Sequence, residues 1–156
     1  IAHPTMSHPP LFTVEQSQAL RGKIAGGHTK NLFLRDKKQA IYLVVAEEDA
    51  EIDLKGLHHL LGANGRFSFG SSELMVEVLG VTPGAVTPFG AINDTQGRVT
   101  VVLDRPLMEH ATINAHPLVN TMTTSLARED LVKFLDFTGH PPRIEPISGP
   151  PRSDAE

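Results

Sequence analysis

The chain has 156 residues, of which 40% are hydrophobic and 21% charged, the size and balance of one soluble globular domain with an ordinary core. Cysteine is absent, which excludes a disulfide framework, a thiolate nucleophile, Cys-ligated zinc and iron–sulfur clusters. Fourteen basic against 18 acidic residues leave −4, which taken whole argues against a general nucleic-acid binder. No apolar run approaches the roughly 20 residues that span a bilayer, and no basic-then-apolar leader precedes the domain. The expectation is a cytoplasmic protein without a membrane partner. Because the chain starts at Ile1 and not at a methionine, Ile1 and Ala2 read as the continuation of an earlier element.

Proline marks both ends: Pro4, Pro9 and Pro10 fall in the first ten residues, and five of the 12 lie from His140 onward. Thr13-Val14-Glu15-Gln16 has the Thr-x-x-Gln form of a capping box and predicts a helix to about Lys23, ended by Gly26-Gly27. Residues 31–35 and 40–46 are apolar, β-branched or aromatic runs around the polar turn Asp36-Lys37-Lys38, the pattern of a hairpin. Asp53 is placed to cap a second helix over residues 54–61, which Gly62 stops. Ser71 or Ser72 caps a third, up to Leu79, with Gly80 as its stop. Residues 99–104 read as a buried strand, 111–115 and 121–125 as weaker ones, and 128–137 as a last amphipathic helix. Residues 140–156 read as a Pro-rich flexible tail, which leaves 1–139 as the domain. Strands followed irregularly by helices predict an α+β fold with a mixed or antiparallel sheet rather than a βαβ repeat.

The local chemistry is sparse. Of eight histidines, four (His3, His8, His116, His140) sit in His-Pro pairs, and His58 and His59 are adjacent, so a helix splays them about 100° apart. No His-Glu-x-x-His or His-x-His occurs, so neither metal nor cofactor is expected. A Gly-x-Ser-x-Gly elbow is missing, and Gly22, Gly26 and Gly27 fit no phosphate-loop pattern. Two segments stand out. In the first, Lys30 sits where a glycine-rich stretch leads into a strand; it is either an ordinary solvated lysine or a cation aimed at a phosphate. The second, Val81-Thr82-Pro83-Gly84-Ala85-Val86-Thr87-Pro88-Phe89-Gly90, has two prolines and two glycines within eight residues, which fix an unusual backbone path. It is either a plain crossover or a loop that aims bare N–H groups at a carbonyl.

Together these segments resemble the YbaK/prolyl-tRNA synthetase-associated domain family, and within it the free-standing aminoacyl-tRNA deacylases. The markers are His8-Pro9-Pro10-Leu11-Phe12-Thr13-Val14, Thr29-Lys30-Asn31-Leu32-Phe33-Leu34, Gly84-Ala85-Val86-Thr87-Pro88 and Asn114-Ala115-His116-Pro117. The resemblance implies a single α+β domain around a mixed, barrel-like sheet with flanking helices. It implies hydrolysis of mischarged tRNA, most closely alanyl-tRNA for proline, with cysteinyl-tRNA as the alternative substrate. A non-catalytic tRNA- or synthetase-binding module of the same fold is a further alternative, and a sensory β-domain unrelated to tRNA another. Lys30 matches the family's essential lysine, Gly84 and Pro88 the ends of its Gly-x-x-x-Pro loop, and His116 its His-Pro position. On this reading Thr29, Lys30 and Asn31 anchor the terminal adenosine or aminoacyl group. The N–H groups of Gly84, Ala85, Val86, Thr87 and Pro88's loop polarise the ester, and His116 orders the water or shapes the pocket. Arg66 is either a reader of acceptor-stem bases or an exposed loop arginine. The expected partner is the acceptor end of a tRNA, with transient contact to a synthetase or elongation factor, no DNA, and a monomeric state.

Position changes the meaning of the net charge. Residues 21–38 hold six basic side chains and one acid, +5, while the other 138 residues carry −9, much of it in Glu47-Glu48-Asp49-Ala50-Glu51-Ile52-Asp53. A local basic face suits a protein that touches one end of an RNA and releases it.

Overall fold

The computed structural model describes residues 5–7, 27–118 and 122–148. Its strands are β1 (Thr5–Ser7), β2 (Gly27–Arg35), β3 (Ile41–Glu47), β4 (Ser68–Phe69), β5 (Val99–Asp104), β6 (Thr112–Ala115), β7 (Met122–Ala127) and β8 (Arg143–Glu145). Among the described residues they form one mixed sheet in the order β1-β7-β6-β2-β3-β5-β8, with β4 joining β2 off this path. The hairpin β2–β3 is antiparallel, β3–β5 and β5–β8 are parallel, and β2 meets β6 in parallel at its first two residues. The α+β class expected from the order of elements is the one observed.

β3 is buried on both faces from Ile41 to Ala46, which is why its sequence is a continuous apolar run and not an alternation. Odd and even residues feed two cores. Phe33, Leu43, Val45, Val101 and Leu103 pack with the helices α2 (Ser72–Leu79) and α3 (Arg128–Phe137). Leu34, Tyr42, Val44 and Val102 pack with α1 (Leu57–Leu61) on the opposite face. Helix α2 starts and stops as its caps dictate: Ser71 accepts from Leu74 N at 3.1 Å, and Gly80 closes it at φ 69°. Helix α3 spans the predicted residues.

Several boundaries differ from expectation. Helix α1 begins at Leu57 because Asp53 spends its carbonyl on a turn to Gly56 N (3.2 Å), so Gly56 becomes the N-cap. β2 starts at Gly27, four residues before the expected strand, and Lys30 therefore lies within the ladder, opposite Ala46. The strands expected over 111–115 and 121–125 are Thr112–Ala115 and Met122–Ala127. The capping-box helix over 13–23 lies outside the described residues.

The largest correction concerns the expected tail. Residues 140–148 belong to the domain: β8 pairs with β5, Ile147 is buried in the α1-side core, and Asp104 Oδ1 accepts from Ile147 N and Ser148 N. This segment is fastened at its start by His140, whose Nε2 meets Asp94 Oδ2 at 2.8 Å with both side chains almost fully buried. Burial pushes the Asp94 carboxyl up, but the bond from His140 and the Val99 and Arg98 N–H groups outweigh it and hold it below its ordinary value. Folding thus lowers this pKa, so the pair stabilises above the ordinary carboxylate range and the gain is lost as pH falls through the lowered value. Asp94→Asn is expected to cost about 3–5 kcal/mol at neutral pH, as a broken buried pair does. Its urea-derived stability should also vary less than the parent's below about pH 4. Equal melting of parent and variant would show that residues 140–148 do not depend on this pair.

Candidate active site

The outer edge of β2 is only partly covered. β6 pairs at Gly27 and His28, β4 pairs at Leu34 and Arg35, and Gly70 N donates to Phe33 O at 2.9 Å. Residues 29–32 have no strand partner on that edge among the described residues. The sheet divides where Thr29, Lys30 and Asn31 stand.

Into this division comes the loop singled out from its prolines and glycines. It folds as two 3₁₀ turns, Pro83–Ala85 and Pro88–Asn93, joined by Val86 and Thr87 in extended conformation. The second turn starts at a proline whose fixed φ suits a first helical position, and Thr87 Oγ1 caps it by accepting from Phe89 N at 3.3 Å. Thr87, Pro88 and Ala85 are buried, and Gly84 and Val86 are half-buried. Gly90 lies flat on α2: a Cβ there would stand 3.0 Å from Leu79 Cβ and 3.2 Å from Leu79 O, so any side chain would crowd the end of the helix.

Asn31 joins strand and loop, its Nδ2 donating to Val86 O at 3.0 Å. Its Oδ1 is buried with no hydrogen-bond partner among the described residues. Thr29 Oγ1 donates to Asn114 O at 2.9 Å, tying β2 to β6 next to the His-Pro segment. Asn114 in turn accepts from Ser125 Oγ, and His116 Nδ1 donates to Met122 O at 2.9 Å. Thr29, Asn31, the 84–88 loop and the start of the His116 segment are thus brought together.

Two expected site residues stand apart. Successive strand residues face opposite sides, and Lys30 has the parity of Leu32 and Leu34 while Asn31 has that of Phe33. The Lys30 ammonium donates to Ala50 O, beyond the end of β3, and not to the 84–88 loop. Arg66 lies at the other end of the hairpin. Asp36 Oδ1 accepts from Lys38 N and Ala40 N, both at 2.9 Å, and its Oδ2 from Asn64 N at 3.0 Å, which staples the turn to the Asn64-Gly65-Arg66 stretch. Burial raises the Asp36 carboxyl, but these three N–H donors prevail and hold it low. Lys30 and Arg35 are five strand residues apart, about 17 Å, so Arg66 belongs with Lys37 and Lys38 at a distance from the loop.

Sequence reasoning passed over one feature. A cleft of about 420 Å³ opens beside the loop, walled by Phe89, Ile92, Pro117, Leu118, Leu126 and Phe134. Phe89 and Phe134 meet edge to face at 5.4 Å. Phe89 follows Pro88 and Pro117 follows His116, so both recognised motifs end on the same apolar wall; that adjacency was the available signal. Among the described residues no three His, Asp or Glu side chains gather as metal ligands, and no helix is long and apolar enough to cross a membrane.

Comparison with known proteins bears on the same residues. A prolyl-tRNA synthetase associated domain-containing protein of Danio rerio is 39% identical over 141 residues, covering 89% of this chain and 76% of that protein. The prolyl-tRNA editing protein ProX of Acetoanaerobium sticklandii is 38% identical over 141 residues, covering 90% and 85%. A crystal structure described as that of a candidate trans-editing enzyme for prolyl tRNA synthetase superposes with a TM-score of 0.72 over 95% of this chain and 87% of that one, at 19% identity. The hypothetical protein APE2540 gives 0.74 over 96% and 93%, at 20% identity. These two likenesses establish the fold. The profile of the aminoacyl-tRNA editing domain matches residues 8–134, a span that contains β2, the 84–88 loop and His116, and the chain belongs to that family.

Proposed function

We propose that this protein is a trans-editing deacylase that hydrolyses the ester of mischarged tRNA, with alanyl-tRNA for proline as its preferred substrate. The observation that carries the reading is the Asn31–Val86 bond, which makes one site of the strand and loop motifs. The names of the relatives, one a prolyl-tRNA editing protein, support the substrate class.

The chemistry needs little. An aminoacyl ester is already activated, so positioning, carbonyl polarisation and a water suffice. The loop supplies the polarising N–H groups: Ala85 N is committed to Thr82 O at 2.9 Å, Pro88 has none and Thr87 is wholly buried, which leaves the half-buried Gly84 and Val86 as the candidates. Lys30 is the anchor. Its resting acceptor is a neutral carbonyl, and exchange for a phosphate oxygen gives a stronger, charge-assisted bond. His116, held by Met122 O, shapes the wall from which Pro117 enters the cleft. Selection of a small aminoacyl group arises between β2 and the loop, which the Asn31 bond draws together. The 420 Å³ cleft has room for a prolyl as well as an alanyl group and is no sieve between them.

Lys30→Ala is expected to lower the single-turnover deacylation rate about 100-fold, the cost of a misplaced substrate. A variant as fast as the parent would remove Lys30 from the mechanism. Across alanyl-, cysteinyl- and seryl-tRNA for proline, the alanyl ester should turn over fastest; preference for the cysteinyl ester would transfer the assignment to that substrate. Arg66, Lys37 and Lys38 are proposed to touch the acceptor stem. With so few phosphates contacted, the slope of log K against log salt should be no steeper than about −3, and Arg66→Ala should make it shallower by up to about 1. A steep slope would contradict an enzyme that handles only the tRNA end.

A further inference from the structure

We infer that His110, held by Glu47, is the general base that takes a proton from the water attacking the ester. This rests on the deacylase reading and adds a catalytic residue to its site. Glu47 is the last residue of β3 and stands directly opposite Thr29 in the antiparallel ladder, so the two side chains share a face. That face carries Asn31, which holds Val86 of the loop, and Phe33, whereas Lys30 has the other parity. Asn31 is the diagonal neighbour of Glu47, about 7–8 Å away, within reach of a glutamate and an imidazole laid end to end. His110 lies just ahead of β6, and its Nε2 meets Glu47 Oε1. The sheet runs in the order β6-β2-β3, so a bond from that segment to the end of β3 crosses β2. The parity of Glu47 puts the crossing on Thr29's side. The pair thus stands on the same face of the sheet as the 84–88 loop.

A carboxylate only accepts, so the ring proton lies on Nε2 and Nδ1 of the neutral imidazole keeps its lone pair. Among the described residues no other hydrogen bond reaches the ring. The side chains of His110 and Glu47 are 39% and 30% exposed, which leaves Nδ1 open to a substrate. The backbone beneath is fixed: His110 N donates to Leu107 O at 3.2 Å, and Arg128 bonds to both neighbours, N to Ala111 O at 3.0 Å and Nη1 to Met108 O at 2.9 Å. An ion pair so exposed adds little to stability. What Glu47 supplies is the tautomer and aim of the ring, and a negative charge beside the imidazolium when it forms. The ester lies over Thr29 with its carbonyl oxygen toward the loop. Nδ1 takes a proton from water as the water oxygen bonds to the carbonyl carbon. The tetrahedral oxyanion collapses, the bond from that carbon to the ribose oxygen breaks, and Nδ1 returns its proton to the ribose oxygen. The free amino acid and a ribose hydroxyl leave, and the imidazole is neutral again. A base positioned in this way typically contributes about 100- to 10,000-fold.

Single-turnover deacylation of alanyl-tRNA for proline, with enzyme in excess, tests the inference. His110→Ala and His110→Gln should each lower the saturated rate at least about 100-fold and leave the half-saturating enzyme concentration near the parent's. Added imidazole should recover part of the loss in His110→Ala, where it can enter the vacated place, and none in His110→Gln, whose side chain fills it. Glu47→Gln keeps a partner for the ring but removes the charge and accepts either tautomer, so it should be slow and indifferent to imidazole. All three variants should melt near the parent's temperature, because the pair is partly exposed. A saturated rate equal to the parent's in either His110 variant, a defect confined to half-saturation, or a loss in His110→Ala that imidazole leaves unchanged would each overturn the inference. Parent turnover with indifferent variants removes this inference alone. A parent inactive on every charged tRNA removes the deacylase reading with it.

Discussion

One buried carboxylate sets the register on which the site depends. Asp36, only 2% exposed, takes three backbone N–H groups, two from its own turn and one from Asn64 across the loop. Those bonds fix where β2 ends and β3 begins, and so which residues share a face. Strand residues alternate, and a slip of one would exchange every side chain between the two cores. Asn31 would then turn from the 84–88 loop, and Lys30 would take its place. The separation of roles between two neighbouring residues is a consequence of that turn.

The two cores explain why the alternation is tolerated so near a polar site. β3 is apolar on both faces, so it anchors the hairpin whichever way β2 presents its residues. β2 pairs with β3 along seven residues, but among the described residues it has no strand partner on its other edge at 29–32, between β6 and β4. There the chain carries Thr29, Lys30 and Asn31, each bonded to a different segment: Asn114, Ala50 and Val86. A strand so placed joins three parts of the molecule at one point.

Charge is distributed to match. The basic residues of the hairpin tip and Arg66 gather at the end stapled by Asp36, whereas the acids follow β3. His58 is held below its ordinary pKa by burial and by electrostatic repulsion from His59 and Arg66, so this imidazole is hard to charge. A short basic tip set apart from the 84–88 loop suits the proposed handling of an RNA by its end.

Local signals were sufficient wherever the determining contacts are close in sequence. The hairpin, the Ser71 and Gly80 caps of α2, the buried β5 run and the whole of α3 were legible because caps, turn residues and periodicity act within a few residues. The Gly-x-x-x-Pro loop and Lys30-Asn31 were likewise visible as motifs. Tertiary structure decided what depends on contacts far apart in the chain. Residues 140–148 carry little local apolar content and read as a tail, yet β5 offers them a ladder edge and Asp94 a buried partner 46 residues from His140. Lys30 and Asn31 looked like a pair until the pleat turned them to opposite faces. The residue types that the chemistry needs were written in the sequence; which of them meet was set by strand parity and by a hydrogen bond across 55 residues, which no local pattern encodes.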